Sequence, residues 1–396
     1  MTAGLTALLA QWLPQRRWYA SKNVTPRLEV VQGAREGAFL EVFAVDHAPA
    51  VPTAYQVPLT LGHAAPGGVV GTLPDGTVVG DALADPEYVA RRLGWDQTYP
   101  AQVLSGEQSN TSVVTQLPRG PVVTKFFRRL SDGVNPDVEL TRALSQAGVT
   151  RVPRFVSAHT GDFPGGHGDL DVTQEFLAGS QDGWKYALSH DAPFPAADLG
   201  RALAEVHAAL LTAFGSEPAR PAQILDEFVE RQTEALDLVP QLARYQPALD
   251  TVLHAPSAEP WPAMQRIHGD FHLGQILLTE RGWVLIDFEG EPRRPLAQRR
   301  QRDFAARDVA GMLRSFDYAR AAGGHTEEWA ARARHEFTAA YRDAAPRDAA
   351  AHPALMRALE LDKALYEAAY EATNRPTWLP IPLDGIARLM APQKEN

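Results

Sequence analysis

An aspartate, an amide and a second aspartate define the chemistry available to this sequence. His268-Gly269-Asp270 stands in RIHGDFHLGQILL, Gln275 follows Asp270 by five residues, and Asp287 closes the apolar run Trp283-Val284-Leu285-Ile286. Phosphoryl transfer asks a protein for positioning and charge neutralisation more than for covalent help, and this set supplies both. Asp270 is the candidate base, orienting an acceptor hydroxyl and taking its proton late. Gln275 and Asp287 offer oxygen, the ligand type that Mg²⁺ prefers. The ordinary structural alternative makes Asp270 a turn residue and Asp287 a strand-end cap; the ordered combination argues against it. His268 and His272 invite a zinc reading, but the chain has no cysteine and no HExxH helix, so both are read as structural.

Protein kinases place His-Arg-Asp and a downstream Asn at the same spacing. Here Gly269 and Gln275 stand in those places, the form used by small-molecule kinases. A phosphoryl donor such as ATP then needs a cradle upstream. Ser105 to Ser112 is a run of small hydrogen-bonding residues between strand-like segments, with Ser109, Asn110 and Thr111 as candidates to face phosphates. It matches neither GxGxxG nor Walker A, and a plain polar hairpin is the alternative. Lys125, in the strand-like VVTKFF, stands where a nucleotide-phosphate lysine belongs, and Glu139 opens a helical stretch as its expected ion-pair partner. The apolar strand that runs out through VTQEFLAG is the expected adenine crossover, with Gln174, Glu175 and Leu177 as candidates.

These residues need a mixed scaffold to hold them. Residues 1 to about 90 read as a small sheet-rich module with a short helix from Thr6 to Trp12, stopped at Pro14. Its strand-like runs are LEVV, AFLEVFAV, AYQVPLTL and GTLPDGTVVGD, the last with the hairpin signal Asp75-Gly76. Residues 91–180 continue strand-rich, with His159 to Asp169 read as a Gly-rich hairpin loop between two strands. After Gly179 the helical period takes over: Ala196 to Phe214 with His207 on its core face, Ile224 to Val239, and a helix resuming at Arg307 in which Asp308 is placed to support the catalytic loop.

The last informative element is ALMRALELDKALYEAAYEATNR, Ala354 to Arg375. Leu361, Leu365, Ala368 and Ala372 share one side at helical spacing, a core stripe. Lys363, Glu367, Tyr370 and Asn374 share the other, with Glu371 at its margin and Arg375 and Trp378 just beyond the end. A face that mixes aromatic rings with carboxylate, amide and guanidinium suits a sugar; a solvated polar face is the alternative.

Composition bounds the rest. The chain has 396 residues, 45% hydrophobic and 22% charged, with a formal charge of -10. That balance argues against a nucleic-acid or anionic-membrane partner. The absence of cysteine removes disulfides and thiolate sites. No run approaches a membrane span and the N-terminus lacks a signal-peptide pattern, so the expectation is a cytoplasmic enzyme, acting as a monomer.

HGDFHLGQ, IDFEGEP with PLAQRR, RDVAGMLRSFDYA and YEAAYEATNRPTWLPIPL together resemble the bacterial maltokinases. GEQSNTSVV, TKFFRRL with NPDVEL, and QWLPQRRWYASK resemble their N-terminal parts, so the likeness spans nearly the whole chain. The resemblance implies an α+β, bilobal protein-kinase-like fold of the aminoglycoside-phosphotransferase type. Its parts would be a β-rich cap (1–90), an ATP-binding N-lobe (91–180) and a helical C-lobe (181–396). It further implies transfer from ATP to maltose, giving maltose 1-phosphate for α-glucan synthesis linked to trehalose, with an association with trehalose synthase. By motif, Asp270 would be the base, Gln275 and Asp287 the Mg²⁺ ligands and Lys125 the phosphate lysine. Tyr370, Glu371, Asn374, Arg375 and Trp378 would shape the acceptor site. Glucosamine kinase is the nearest enzymatic rival. A catalytically dead kinase-like scaffold is the rival from another class, opposed by the presence of Lys125, Asp270, Gln275 and Asp287.

Overall fold

Pro58 divides the run AYQVPLTL, because proline has no N–H to give to a ladder. The computed structural model describes residues 2–22, 24–104, 110–189, 194–291, 294–345 and 353–391. It shows two strands there instead of one. After helix α1 (Thr2–Trp12) come β1 (Leu28–Glu36), β2 (Phe39–Asp46), β3 (Thr53–Gln56), β4 (Leu59–Leu61), β5 (Val69–Thr72) and β6 (Val78–Asp81). They form one antiparallel sheet in the order β1-β2-β4-β6-β5, with β3 also paired to β2. Asp75-Gly76 lies in the β5–β6 connection, where Gly76 takes φ +88° and donates to the Leu73 carbonyl at 2.9 Å. Leu5, Leu9 and Trp12 of α1 pack with Trp18, Tyr19 and Tyr55 in the core of this module.

Helix α2 (Pro86–Arg92) leads to the second sheet: β7 (Ala101–Val103), β8 (Thr111–Leu117), β9 (Gly120–Phe126), β10 (Phe155–Phe163) and β11 (Gly166–Glu175), with α3 (Pro136–Gln146) inserted after β9. The order is β10-β11-β9-β8-β7, all antiparallel. The expected loop from His159 to Asp169 is instead mostly strand, turning at Pro164-Gly165. The glycines there serve close packing: a Cβ on Gly168 would meet the carbonyls of Ser131 and Gly133 at 2.6 Å. Cap and second sheet share one compact unit, Met1–Arg142 with Pro153–Ala178. Gln56 Nε2 joins them by donating to the carbonyls of Phe127 (3.2 Å) and Leu170 (2.9 Å). Buried Arg128 adds a bond to Thr111 Oγ1 at 2.7 Å, an ion pair with Asp81 and a cation–π contact with Trp18.

The second unit, Ala143–Val152 with Gly179–Asn396, is largely helical. Its helices are α4 (Gly183–Ser189), α5 (Ala196–Phe214), α6 (Pro221–Leu238), α7 (Gln246–His254), α8 (Leu296–Arg299), α9 (Ala305–Gly323), α10 (Glu327–Ala344), α11 (Pro353–Asn374) and α12 (Pro380–Met390). Strands β12 (Gln181–Asp182), β15 (Ile276–Thr279) and β16 (Gly282–Leu285) make a small sheet, and β13 (Ser216–Glu217) pairs with β14 (Met264–Gln265). Leu361, Leu365 and Ala368 of α11 are fully buried against α6, α7 and α12, as the apolar stripe predicts. No helix among the described residues is long and apolar enough to cross a membrane.

Candidate active site

The loop between β14 and β15 carries His268 to Gln275, and a buried carboxylate from α9 fixes its backbone. Asp308 Oδ2 accepts from His268 N at 2.8 Å and Oδ1 from Gly269 N at 2.9 Å. His207 Nε2 of α5 donates to the same carboxylate at 2.9 Å, and its Nδ1 bonds the Tyr341 hydroxyl of α10 at 2.8 Å. Burial alone would raise the pKa of Asp308; His207, His268 and the backbone N–H groups outweigh it and hold the carboxyl below its usual range. Asp308 therefore supports the loop as the sequence suggests, and His207 is a buried member of that network. Gly269 takes φ +84°, which glycine adopts at little cost. His268 Nε2 bonds the Ile286 carbonyl at 2.9 Å, so that nitrogen carries the proton and ties the loop to the chain just before Asp287.

Asp270 is partly exposed at the end of this braced segment. Lys363 Nζ, from α11, lies 3.1 Å from its Oδ1. Oδ2 stands 3.9 Å from His272 Nε2, beyond hydrogen-bond reach, and so can accept from an incoming hydroxyl. Burial would raise Asp270, but Lys363 and His272 outweigh it and keep the carboxylate ionised. Burial, more than it is offset by Asp270, lowers the pKa of His272. Gln275 Nε2 donates to Asp287 Oδ2 at 3.2 Å, which brings the amide and the carboxylate together as the spacing predicts. Asp287 has φ +65°, the only non-glycine in the left-handed region among the described residues. Such backbone strain is found at sites where the fold over-determines a side chain's position. The donor set of carboxylate and amide oxygen fits a hard cation such as Mg²⁺.

In the first unit, Lys125 Nζ pairs with Asp137 Oδ2 at 2.9 Å, with Asp137 buried. Asp137 stands two residues before Glu139, the acid expected from the sequence, and both lie in the first turn of α3. Thr111 Oγ1 holds Arg128, and Gln174 Nε2 donates to Thr141 Oγ1 at 3.1 Å from a buried position, so both side chains tie the unit together. Glu175 Oε2 accepts from Arg154 N at 3.2 Å, while Leu177 is half-buried. Asn110 is buried just before β8, and Ser109 lies outside the described residues.

The polar side of α11 is half-buried from Lys363 to Tyr370 and exposed at Asn374. Glu371 is buried, accepting from Arg375 at 2.9 and 2.6 Å and from the Tyr318 hydroxyl at 3.2 Å. Glu367 pairs with the fully buried Arg314 at 2.8 Å. Asn374 is exposed and donates to the Tyr370 carbonyl at 2.9 Å, a helix-end bond. Arg375 lies over the rings of Trp378 (4.8 Å) and Tyr370 (5.4 Å). Trp378 in turn meets Tyr318 at 6.2 Å and Trp184 at 6.5 Å between ring centroids. Trp184, Tyr318 and the contact of Lys363 with Asp270 were not anticipated; a tryptophan in a short helix gives no periodic signal.

Residues 12–85 match the maltokinase N-terminal cap domain, and residues 100–290 match the phosphotransferase enzyme family. A glucosamine kinase of Streptacidiphilus jiangxiensis is 30% identical over 313 residues, 70% of each chain. The chain belongs to the phosphotransferase enzyme family. A second glucosamine kinase, from Mycolicibacterium smegmatis, is 30% identical over 325 residues, 72% of this chain and 78% of its own. A solved structure of a glucosamine kinase in complex with glucosamine, ADP and inorganic phosphate is 24% identical with a TM-score of 0.69, covering 99% of this chain and 100% of that one. The fold is thus the α+β kinase fold of the aminoglycoside-phosphotransferase type with a β-rich N-terminal region, and the protein is a kinase.

Proposed function

We propose that this kinase transfers the γ-phosphoryl group of ATP to the anomeric hydroxyl of maltose, giving maltose 1-phosphate and ADP. The observation that carries the choice of a neutral sugar is on α11 and just past it. Glu367 and Glu371 are already paired with Arg314 and Arg375, while Trp184, Tyr318 and Trp378 cluster beside them. An acceptor site for a cation needs open carboxylates; paired carboxylates with aromatic rings suit hydroxyls and apolar sugar faces. Past Tyr366 opens a cavity of about 370 Å³ whose lining joins Gln223, Arg231 and Gln298, groups suited to hydroxyls on a second ring, with Glu227, Glu230, Glu234 and Glu291.

In this reading the acceptor hydroxyl donates to Asp270 Oδ2 and its oxygen attacks the γ-phosphorus. The bond to the β-phosphate oxygen breaks, ADP leaves, and the proton passes to Asp270. Lys125, steadied by Asp137, is assigned to the nucleotide phosphates. Ser109, Asn110 and Thr111 are assigned to the phosphates on their sequence, Thr111 through its backbone because its hydroxyl accepts from Arg128, and backbone groups around Gln174, Glu175 and Leu177 to the adenine. Gln275 and Asp287 would hold Mg²⁺, which supplies neutralisation of phosphate charge when bound. The reading implies a cytoplasmic enzyme that works alone or with trehalose synthase and feeds α-glucan synthesis.

Asp287→Asn separates the metal role from the backbone. Asparagine tolerates positive φ, so the variant keeps the wild-type melting temperature while Mg²⁺-dependent tightening of ATP falls more than tenfold. Calorimetric titration checks this; equal Mg²⁺ dependence in both proteins removes Asp287 from the site. Trp378→Ala raises KM for maltose severalfold with KM for ATP unchanged, because it removes a ring of the acceptor cluster with Arg375, Tyr318 and Trp184 and touches no group assigned to the nucleotide. Steady-state kinetics with either substrate varied decides it, and a matching rise for ATP counts against the assignment.

Glucosamine is the second reading, favoured by the names of both curated relatives. An acceptor screen of maltose, glucose, glucosamine and kanamycin with ATP and Mg²⁺ tests both. Maltose is expected to exceed glucose at least tenfold in kcat/KM, on the order of 1.4 kcal/mol in the transition state. Equal use of glucose, or preference for glucosamine, overturns the maltose assignment.

A further inference from the structure

A carboxylate that serves as base beside a sugar is also the natural counter-ion for an amino group on that sugar. In this protein a cation of its own fills that position. Lys363 Nζ lies 3.1 Å from Asp270 Oδ1 and 5.0 Å from the centroid of the Tyr366 ring. The guanidinium of Arg231 lies 5.3 Å from the same ring but is spoken for by Asp362 at 2.8 Å and Glu291 at 3.7 Å, so Lys363 is the cation beside the base. Burial alone would discharge the Lys363 ammonium; Asp270, Glu291 and Glu367 outweigh it and keep the lysine protonated.

We propose that Lys363 is a specificity-determining residue that shuts aminated sugars out of the acceptor site and reserves Asp270 for neutral ones. The inference deepens the sugar-kinase reading and rests on its assignment of Asp270 as base. A neutral hydroxyl bonds Asp270 Oδ2 without disturbing the ion pair on Oδ1. At the anomeric position the neighbouring carbon carries the C2 substituent, so an ammonium there enters the field of Lys363 in a partly desolvated site. Like charges at such range are costly, and a built-in repulsion discriminates where attraction alone does not. Without Lys363, Asp270 loses the cation on its Oδ1, keeps His272 at 3.9 Å on the other side, and attracts the same ammonium. Glu367 and Glu371, the other acids on this face of α11, are already held by arginines and offer no substitute counter-ion.

Glucose and glucosamine differ only at C2, so the ratio of their kcat/KM values reads the effect directly, at a pH where the amine is protonated. Wild-type protein is expected to favour glucose over glucosamine at least tenfold. Lys363→Met, neutral and of similar length, shifts that ratio toward glucosamine tenfold or more, and Lys363→Arg keeps it within a few-fold. A wild-type preference for glucosamine overturns the proposal, as does a Lys363→Met variant that loses both activities in equal measure. Thermal melts establish that each variant is folded; should Lys363→Met fail, Lys363→Gln and the wild-type ratio still decide. If maltose is no better than glucose but glucosamine is still rejected, the maltose assignment falls and the charge filter stands. Absence of turnover with every sugar overturns both.

Discussion

Asp270→Asn is expected to lower turnover at least a hundredfold, the loss typical when a general base is removed, with nucleotide affinity nearly unchanged. The substitution keeps the shape of the side chain, and the asparagine oxygen can still accept from Lys363, which lies 3.1 Å from Oδ1 in the wild type. What it removes is the ability to take the acceptor proton. The wild-type carboxyl is already held below its usual range by Lys363 and His272 against the effect of burial. Asp270 is therefore ionised throughout neutral pH, and this residue causes no fall in kcat/KM until the pH drops below the ordinary aspartate value of about 3.9. Single-turnover phosphate transfer with calorimetric ATP binding measures both halves of the expectation. Wild-type turnover in Asp270→Asn, under conditions where chemistry limits, removes Asp270 as base; a parallel loss of ATP affinity makes it a structural residue instead.

The candidate catalytic loop was legible as one cluster because its parts lie close together in sequence. Asp270, Gln275 and Asp287 fall within one loop–strand–strand passage, so their spacing constrains their geometry directly. Asp308, although on a separate helix, was legible as support because it is the acid in the first turn of that helix. Lys363 was not legible as the partner of Asp270, 93 residues away, because helical period shows which residues share a face but not what the face meets. The same limit explains Glu371, which the period left at the margin of a polar face and packing placed in the interior. Asp137 and Glu139 are both acids in the first turn of a helix, and sequence alone does not show that Asp137 is buried against Lys125. In the second sheet, Gly161, Gly165, Gly166 and Gly168 look like loop composition, yet all but the turn at Gly165 belong to paired strands. Glycine marks close approach as readily as it marks a turn, and one sequence does not say which.

Asp308→Ala is expected to destabilise the protein by about 3–5 kcal/mol, more than any surface change, because one buried carboxylate answers three donors. His268 N, Gly269 N and His207 Nε2 all lie within 2.9 Å of its oxygens. Alanine leaves each without its acceptor in a dry environment, and through His207 the disturbance reaches Tyr341 on α10. Asp308→Asn retains one acceptor oxygen but sets an N–H₂ against a donor, so a smaller loss is expected, with kcat reduced as the loop that carries Asp270 loosens. The carboxyl of Asp308 sits below its usual range in the folded protein. Its contribution is therefore complete above the unfolded value of about 3.9 and disappears as pH falls through the lower folded value. Wild type and Asp308→Ala should accordingly differ most at neutral pH and converge in acid. Urea melts at pH 7 and near pH 3 measure this, with Asp308→Asn carrying the comparison if the alanine variant does not fold. A neutral-pH difference under about 1 kcal/mol, or one that grows on acidification, would show that the loop is held in place by something other than this carboxylate.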